Sequence, residues 1–283
     1  MTDVVSLLLL AFGPLAIGLL LGVDRRITAR MQNRVGPPLL QPFYDLAKLF
    51  RKDRRSTNRT QVSFAVAALL LQMAAWCVFA LGGDLLVAFF VSGAGSLALA
   101  LGAFSVRSAY SQIGAQRELL QMLSYEPILL LALLVLGWQS GTFMADAQDE
   151  SMLFLLPLVI ITFVPVLAIK MQKSPFDLAT AHQEIVSGVY VEFAGPYYGL
   201  LKLANWFELA LVFGFLSLFF WDQNVYVSIV GKSLLAFLFL FVTVLLDNST
   251  ARLTREQMVK YALTFGLGLI AVNVLAIIVE AAL

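Results

Sequence analysis

Five carboxylates could carry chemistry in this otherwise apolar chain: Glu126, Asp177, Glu184, Glu192 and Glu208. An acid at membrane depth is expensive, so each calls for an ion pair or for a watered path that takes up and releases protons. Glu208 lies well inside an apolar run, Glu126 at the start of another just before Pro127, and Glu192 at an entrance. A structural ion pair, or a snorkelling residue at a helix end, is the alternative for each. Asp177, Glu184 and Glu192 follow one another at intervals of seven and eight residues. In a helix the first two would fall about 20° apart around the axis. Such a row could pass protons along waters, and it could equally be a solvated face. Lys202 precedes Glu208 by six residues in the same run. A buried lysine loses its proton or pairs with an acid, and Glu126 on another helix is a candidate partner. His182 could tune such a network near neutral pH, or simply pack or face solvent.

The elements that must position these groups are membrane helices. Of the 283 residues, 60% are hydrophobic and 13% charged, about half the charge fraction of soluble domains. Uncharged or nearly uncharged runs fall at 4–23, 62–83, 85–106, 127–145, 151–169, 193–221, 225–246 and 261–279. Most are near the roughly 20 residues that a helix needs to cross a bilayer. Backbone groups in hydrocarbon must be paired internally, so the runs are predicted to be helices, the fourth beginning as early as Leu119. The expectation is all-α: one polytopic membrane domain over 1–283 with about eight transmembrane helices. The first run has no positive segment before it and is expected to stay as a helix of the mature protein.

Charge placement orients the bundle. Ten Lys and Arg lie between Arg25 and Arg59, and seven more at 107, 117, 170, 173, 252, 255 and 260. These seventeen of nineteen positive residues share one side of an eight-helix chain. The positive-inside rule then puts the loops at 24–61, 107–118, 170–192 and 247–260 in the cytoplasm and both termini outside. Within the first loop, Leu39, Phe43, Leu46, Leu49 and Phe50 fall on one face of a short helix. That helix is expected to lie in the membrane interface, or to pack against a soluble partner.

One cysteine (Cys77) and one histidine (His182) cannot hold an iron–sulfur cluster, a structural zinc or a pair of haem ligands. No GxGxxG loop or P-loop signals a nucleotide, and no basic cluster outside the membrane loops suggests nucleic acid. No cofactor is expected in this chain, so any redox chemistry that it serves must sit in a partner.

Three blocks carry a resemblance over nearly the whole length. They are Arg30-Met31-Gln32-Asn33-Arg34-Val35-Gly36-Pro37, Glu118-Leu119-Leu120-Gln121-Met122-Leu123-Ser124-Tyr125-Glu126, and a third made of Ser174-Pro175-Phe176-Asp177-Leu178, Gln183-Glu184-Ile185-Val186-Ser187-Gly188 and Glu192-Phe193-Ala194-Gly195. Together they resemble the subunit 1 (H-type) family of respiratory complex I and of energy-converting membrane hydrogenases. The stretch from Ala181 to Gly188 is most similar to the Ech/Mbh type of NiFe hydrogenase. It is less similar to quinone-reducing complex I, whose loop begins Asn-Arg-Ala-Pro-Phe-Asp, and it lacks the Pro-Val-Asp-Asp of formate hydrogenlyase. The chain departs from its nearest pattern in lacking a histidine-rich insertion before Ala181, and in carrying Lys202 where an acidic or neutral residue is expected.

The resemblance implies a coupling subunit in the cytoplasmic membrane. A peripheral arm with iron–sulfur clusters and a NiFe site, in hydrogenase-type small and large subunits and an iron–sulfur subunit, would take electrons from ferredoxin and reduce protons. Antiporter-like membrane subunits would export H⁺ or Na⁺. The family's carboxylate channel would map onto Glu126, Asp177, Glu184 and Glu192, with Glu208 as an addition and Lys202 and His182 as tuning charges. Arg30, Gln32, Arg34, Gly36 and Pro37 would dock the peripheral arm. The alternatives are the same subunit in a quinone-reducing complex, an independent secondary transporter and a passive anchor. A transporter of this size often shows two related halves, and none is visible here.

Overall fold

Each apolar run closes its backbone hydrogen bonds within a helix, as lipid demands. The structure is a computed structural model that describes residues 2–55, 58–148 and 150–282; of 2–9, 182, 281 and 282 only the backbone is described. Helix α1 is Thr2–Met31, α2 Gln41–Phe50, α3 Arg59–Ala80, α4 Leu85–Phe104 and α5 Ala109–Ser140. Then come α6 Pro157–Ile161, α7 Phe163–Lys170, α8 His182–Ile185, α9 Pro196–Ser217, α10 Val225–Ser249 and α11 Arg255–Ala282. Among the described residues α3, α4, α5, α9, α10 and α11 are long and apolar enough to span a bilayer. With α1 over the first run and α6 and α7 over the fifth, the chain is a helical polytopic membrane protein.

Small residues bring α3 and α4 together, as van der Waals packing in lipid requires. Ala65, Ala68 and Ala75 of α3 and Ala88, Ala98 and Ala103 of α4 are all buried.

The fifth crossing is not the single helix expected over 151–169. Residues 150–156 are not helical, and the helix that starts at Pro157 breaks at Thr162. Pro165 explains the break, because its ring lacks an N–H and clashes with the carbonyl four residues back, at Ile161, where α6 ends. The exposed backbone ends are closed by α11. Asn273 Oδ1 accepts from the Leu158 and Val159 amides at 2.9 and 3.4 Å, and its Nδ2 donates to the Leu155 carbonyl at 3.0 Å.

The stretch expected as a loop at 107–118 is mostly helix. With 32 residues α5 is about 48 Å long, well beyond the roughly 30 Å of hydrocarbon, so its first turns stand clear of the membrane core. Glu126 therefore lies in the middle of α5, inside the helix and not at its first turn. Pro127 beside it removes one rung of the helix, leaving the Leu123 carbonyl without its usual donor.

Helix α2 exists where expected, but its apolar face turns into the chain's own bundle. Phe43 meets Trp206 of α9 edge-on at 5.1 Å between ring centroids. A Cβ on Gly22 of α1 would sit 1.9 Å from the Leu39 carbonyl oxygen, so glycine there is what admits the chain leading into α2.

Side-chain contacts tie four connections together at one end of the bundle. Lys173 Nζ lies 2.9 Å from Asp24 and 3.0 Å from Asp247. Gln32 donates to Asn248 at 3.0 Å, and Asn58 to the Ser105 carbonyl at 3.3 Å. At the other end Leu85 N–H donates to the Phe143 carbonyl at 2.9 Å, and Ser151 to that of Phe219 at 3.4 Å. This grouping matches the two sides that the charges define in the sequence.

Candidate functional site: a buried charge cluster and an outer arginine clamp

The centre of the bundle holds an ion pair between Lys170 and Glu208, with side chains only 6% and 12% exposed. Lys170 ends α7, where the sequence reads it as a surface charge of the loop at 170–192. The structure turns it inward instead. Its Nζ also donates to Tyr125 Oη at 2.5 Å and to Ser96 Oγ at 3.4 Å. Ser96 Oγ donates to Glu208 Oε1 at 2.6 Å, and Gln72 reaches Ser96 at 3.4 Å and the Ser92 carbonyl at 3.0 Å. Five helices thus contribute: α3, α4, α5, α7 and α9. Each member sits mid-helix except Lys170, so a side chain of four methylenes carries the positive charge in from the end of the short broken helix.

Glu126 borders the same cluster. It shares with Ser92, Ser96, Lys170 and Glu208 the lining of a small cavity of about 10 Å³, the size that holds about one water. Its Oε1 is buried without a hydrogen-bond partner among the described residues. A Cβ on Gly93 would stand 3.2 Å from that oxygen, so glycine gives the carboxylate its room. Glu118 lies seven residues before Tyr125 on α5, about 20° away around the helix. It is within electrostatic reach of Lys170 and Glu208.

Asp177 and Glu184 form a second cluster nearer the basic end. Arg252 holds Asp177 with two hydrogen bonds, Nε to Oδ1 at 2.8 Å and an Nη to Oδ2 at 2.5 Å. The same guanidinium lies 3.7 Å from Glu184, and Arg117 lies 2.6 Å from it. Arg117 also donates to the Leu178 carbonyl at 3.1 Å, and Gln121 donates to that of Phe176. The hydrogen bonds from Arg252 to Asp177, with the charges of Asp177 and Glu184, outweigh burial and raise the Arg252 pKa above its ordinary value, so this clamp keeps its positive charge. The segment is not mostly helical. Among the described residues it holds α8, of four residues, and one 3-10 turn at Gly188–Tyr190, so the helical phase of Asp177 and Glu184 does not join them; Arg252, in contact with both, does. Gly188, with φ +52°, lets the loop fold back, and a Cβ there would meet the Ala179 carbonyl at 1.8 Å.

The other expected site residues lie apart. Glu192 is half-buried and makes no hydrogen bond or ion pair with a described residue. Lys202 does not pair with Glu126. Its Nζ lies 5.5 and 5.4 Å from the ring centroids of Tyr190 and Tyr198. It faces a cavity of about 440 Å³ between α1, α2 and α9. The side chain of His182 lies outside the described residues. Arg30, Gln32 and Arg34 are exposed, and Gly36 and Pro37 half-buried. Arg34 donates from Nε to Gln32 Oε1 at 2.9 Å.

Sequence reasoning missed Lys170, Tyr125 and Glu118. A lysine closing an apolar run reads as an interfacial charge, and only packing shows which way it folds. For Glu118 a signal existed in its seven-residue spacing from Tyr125.

Fold and cluster together define a polytopic membrane protein with paired charges at the heart of its bundle. Residues 4–278 match the family model described as NADH dehydrogenase, and the chain belongs to that family. It is 32% identical over 260 residues to the NADH-ubiquinone oxidoreductase chain 1 of Xenopus laevis, covering 81% of this chain and 80% of that one. It is 30% identical over 203 residues to hydrogenase-4 component C of Escherichia coli, covering 65% of this chain and 64% of that one. Among solved structures it is similar to a chain of the membrane-bound sulfane sulfur reductase, an archaeal respiratory membrane complex. The TM-score is 0.86 at 26% identity, covering 97% of this chain and 99% of that chain. The chain is thus a membrane subunit of the complex I-like group of respiratory oxidoreductases, and it has partner subunits.

Proposed function

We propose that the chain is the ion-translocating coupling subunit of an energy-converting hydrogenase in the cytoplasmic membrane, with both termini outside. The observation that carries this reading is the cluster of Lys170, Glu208, Tyr125 and Ser96, bordered by Glu126 and Glu118, at the middle of the bundle. An anchor has no use for a buried ion pair beside an unpaired buried carboxylate oxygen, whereas a coupling subunit does. Protons or sodium ions are handled between two stations. The outer one is the clamp of Asp177, Glu184, Arg117 and Arg252. The inner one is the ion pair, with Glu118 between them. Glu192 stands at the entrance of α9. A change in one pair's charge alters the field at the next, which is how a redox event outside the membrane reaches the ion path.

The hydrogenase reading is supported by the Ala181 to Gly188 stretch and by the likeness to hydrogenase-4 component C. On it the iron–sulfur clusters and the NiFe site belong to partner subunits, docked near Arg30, Gln32, Arg34, Gly36 and Pro37. The chain itself, with one Cys and one His, is not catalytic alone. The second reading is a quinone-reducing complex, favoured by the likeness to NADH-ubiquinone oxidoreductase chain 1.

The test compares ion uptake with turnover in inverted vesicles carrying Glu126→Gln or Glu192→Gln. Glutamine keeps shape and much of the hydrogen bonding but cannot ionise. Both variants should assemble and pump less than the parent. Parental pumping and turnover in both would make the acids structural. The subunits that co-purify in mild detergent decide between the readings: a NiFe large subunit for the first, a flavin subunit that binds nucleotide for the second.

A further inference from the structure

The 440 Å³ cavity is lopsided in charge. Both of its acids have a cationic neighbour: Asp45 pairs with Arg25 at 2.7 Å, and Asp24 shares Lys173 with Asp247 at 2.9 and 3.0 Å. Lys170, at its inner end, is neutralised by Glu208. Three further lining cations, Lys48, Lys52 and Lys202, form no ion pair with a described residue. Lys48 and Lys52 come from the end of α2 and the turn after it, and Lys202 from α9 opposite. Lys202 is half-buried and backed by the two tyrosine rings, so its ammonium has aromatic faces on one side and the cavity on the other. The wall also carries the polar side chains of Gln172 and Asn205, and one side of it is apolar, with Leu46 and Leu49 of α2 and Trp206 and Leu209 of α9.

We propose that this cavity binds the phosphate headgroup of an anionic phospholipid, with Lys202, Lys48 and Lys52 around the phosphate and the first methylenes against Leu46, Leu49 and Trp206. A ligand volume of about 300–1,000 Å³ is usual for small-molecule sites, so the cavity takes a headgroup and the start of its chains, not a whole lipid. The remaining chains lie along the exposed apolar residues beside α2, Leu39, Leu40 and Phe50, at the level where an interfacial helix sits. A neutral ligand of the same size would leave the charges of Lys48, Lys52 and Lys202 without a counter-charge in the cavity. A phosphate diester supplies a counter-charge and unhindered acceptor oxygens, and lysine recognises it as a point charge. Free phosphate would satisfy the charge but would leave the apolar wall uncovered.

The experiment takes the membrane complex that contains this chain, stripped of lipid in mild detergent. It is titrated with dihexanoyl phosphatidylglycerol, dihexanoyl phosphatidylcholine or inorganic phosphate and read by native mass spectrometry. The parent should bind one more equivalent of phosphatidylglycerol than Lys202→Met, whose affinity at that site should fall about tenfold. Lys202→Arg should keep it. Phosphatidylcholine should bind this site at least tenfold more weakly, and inorganic phosphate at millimolar concentration should not displace the lipid. Should Lys202→Met fail to assemble, the doubly substituted Lys48→Gln, Lys52→Gln variant, altered only at exposed side chains, should show the same loss, and more steeply at high salt. Equal binding by parent and charge-deleted variants, equal affinity for phosphatidylcholine, or displacement by phosphate alone would each overturn the assignment.

Discussion

Removing both members of the central ion pair should cost clearly less than the two single removals added together. Lys170 and Glu208 are 6% and 12% exposed, with Ser96 and Tyr125 closing the remaining bonds. Lys170→Met leaves the Glu208 carboxylate without its cation, and Glu208→Gln leaves the Lys170 ammonium without its anion. Breaking a pair so enclosed costs about 3–5 kcal/mol, because a charge stays behind that neither water nor a partner solvates. At about 4 kcal/mol the folded fraction falls by roughly a thousandfold in equilibrium constant. The double variant strands no charge, and the amide oxygen that replaces the Glu208 carboxylate can still accept from Ser96. Its cost should therefore fall short of the sum of the singles by about 2 kcal/mol or more. The assay is equilibrium unfolding in mixed micelles, monitored by tryptophan fluorescence, for parent, singles and double. Single costs under about 1 kcal/mol, as for an exposed pair, or costs that simply add, would refute the reasoning.

Three further outcomes follow from the geometry. With Cys77→Ala as background, a cysteine at Arg54 and one at Ala147, both exposed, should be labelled from opposite faces of the membrane; labelling from the same face would break the eight-crossing topology. Arg34→Ala should release the peripheral arm more readily, and the effect should grow with salt, since exposed charge contacts are screened; an arm retained at every ionic strength would remove Arg34 from the interface. Burial pushes the Asp45 carboxyl up, but hydrogen bonds from Arg25 and Gln41 and the charges of Arg25 and Lys48 outweigh it and hold the carboxyl below its usual range. A depressed folded pKa stabilises above the unfolded value and is lost as pH falls, so α2 should loosen below about pH 4; hydrogen exchange of the α2 amides that stayed flat from pH 7 to 3, after correction for intrinsic rates, would contradict this.

The helices were legible because lipid leaves the backbone no choice, and α3, α4, α9 and α10 begin and end within a few residues of uncharged runs. Position along a helix is harder to read. Charges precede Glu126 and make it look terminal, yet those charges ride on α5 itself, where Arg117 is buried against Glu184. The break at Thr162 is readable in Pro165. Its repair by Asn273 is not, because the two lie more than a hundred residues apart. The contacts of the acids escape most. Asp177 and Glu184 meet through Arg252, and Glu208 takes Lys170 rather than anything on its own helix. Such partnerships are set by how helices pack, and spacing along one chain carries little of that information.

The cap that α11 provides to α6 has a consequence for biogenesis. The acceptor for the Leu158 amide is a side chain 115 positions further along, in a helix that leaves the ribosome well after α6 has done so. At about 5–20 residues per second, the fifth crossing waits roughly 6 to 23 seconds with its first amides unanswered. Until then that stretch has reason to stay with the insertion machinery or against its neighbours, not in lipid. Arrival of α11 is thus the event that lets the broken segment settle, and truncation before Asn273 would strand a crossing that has long since been made.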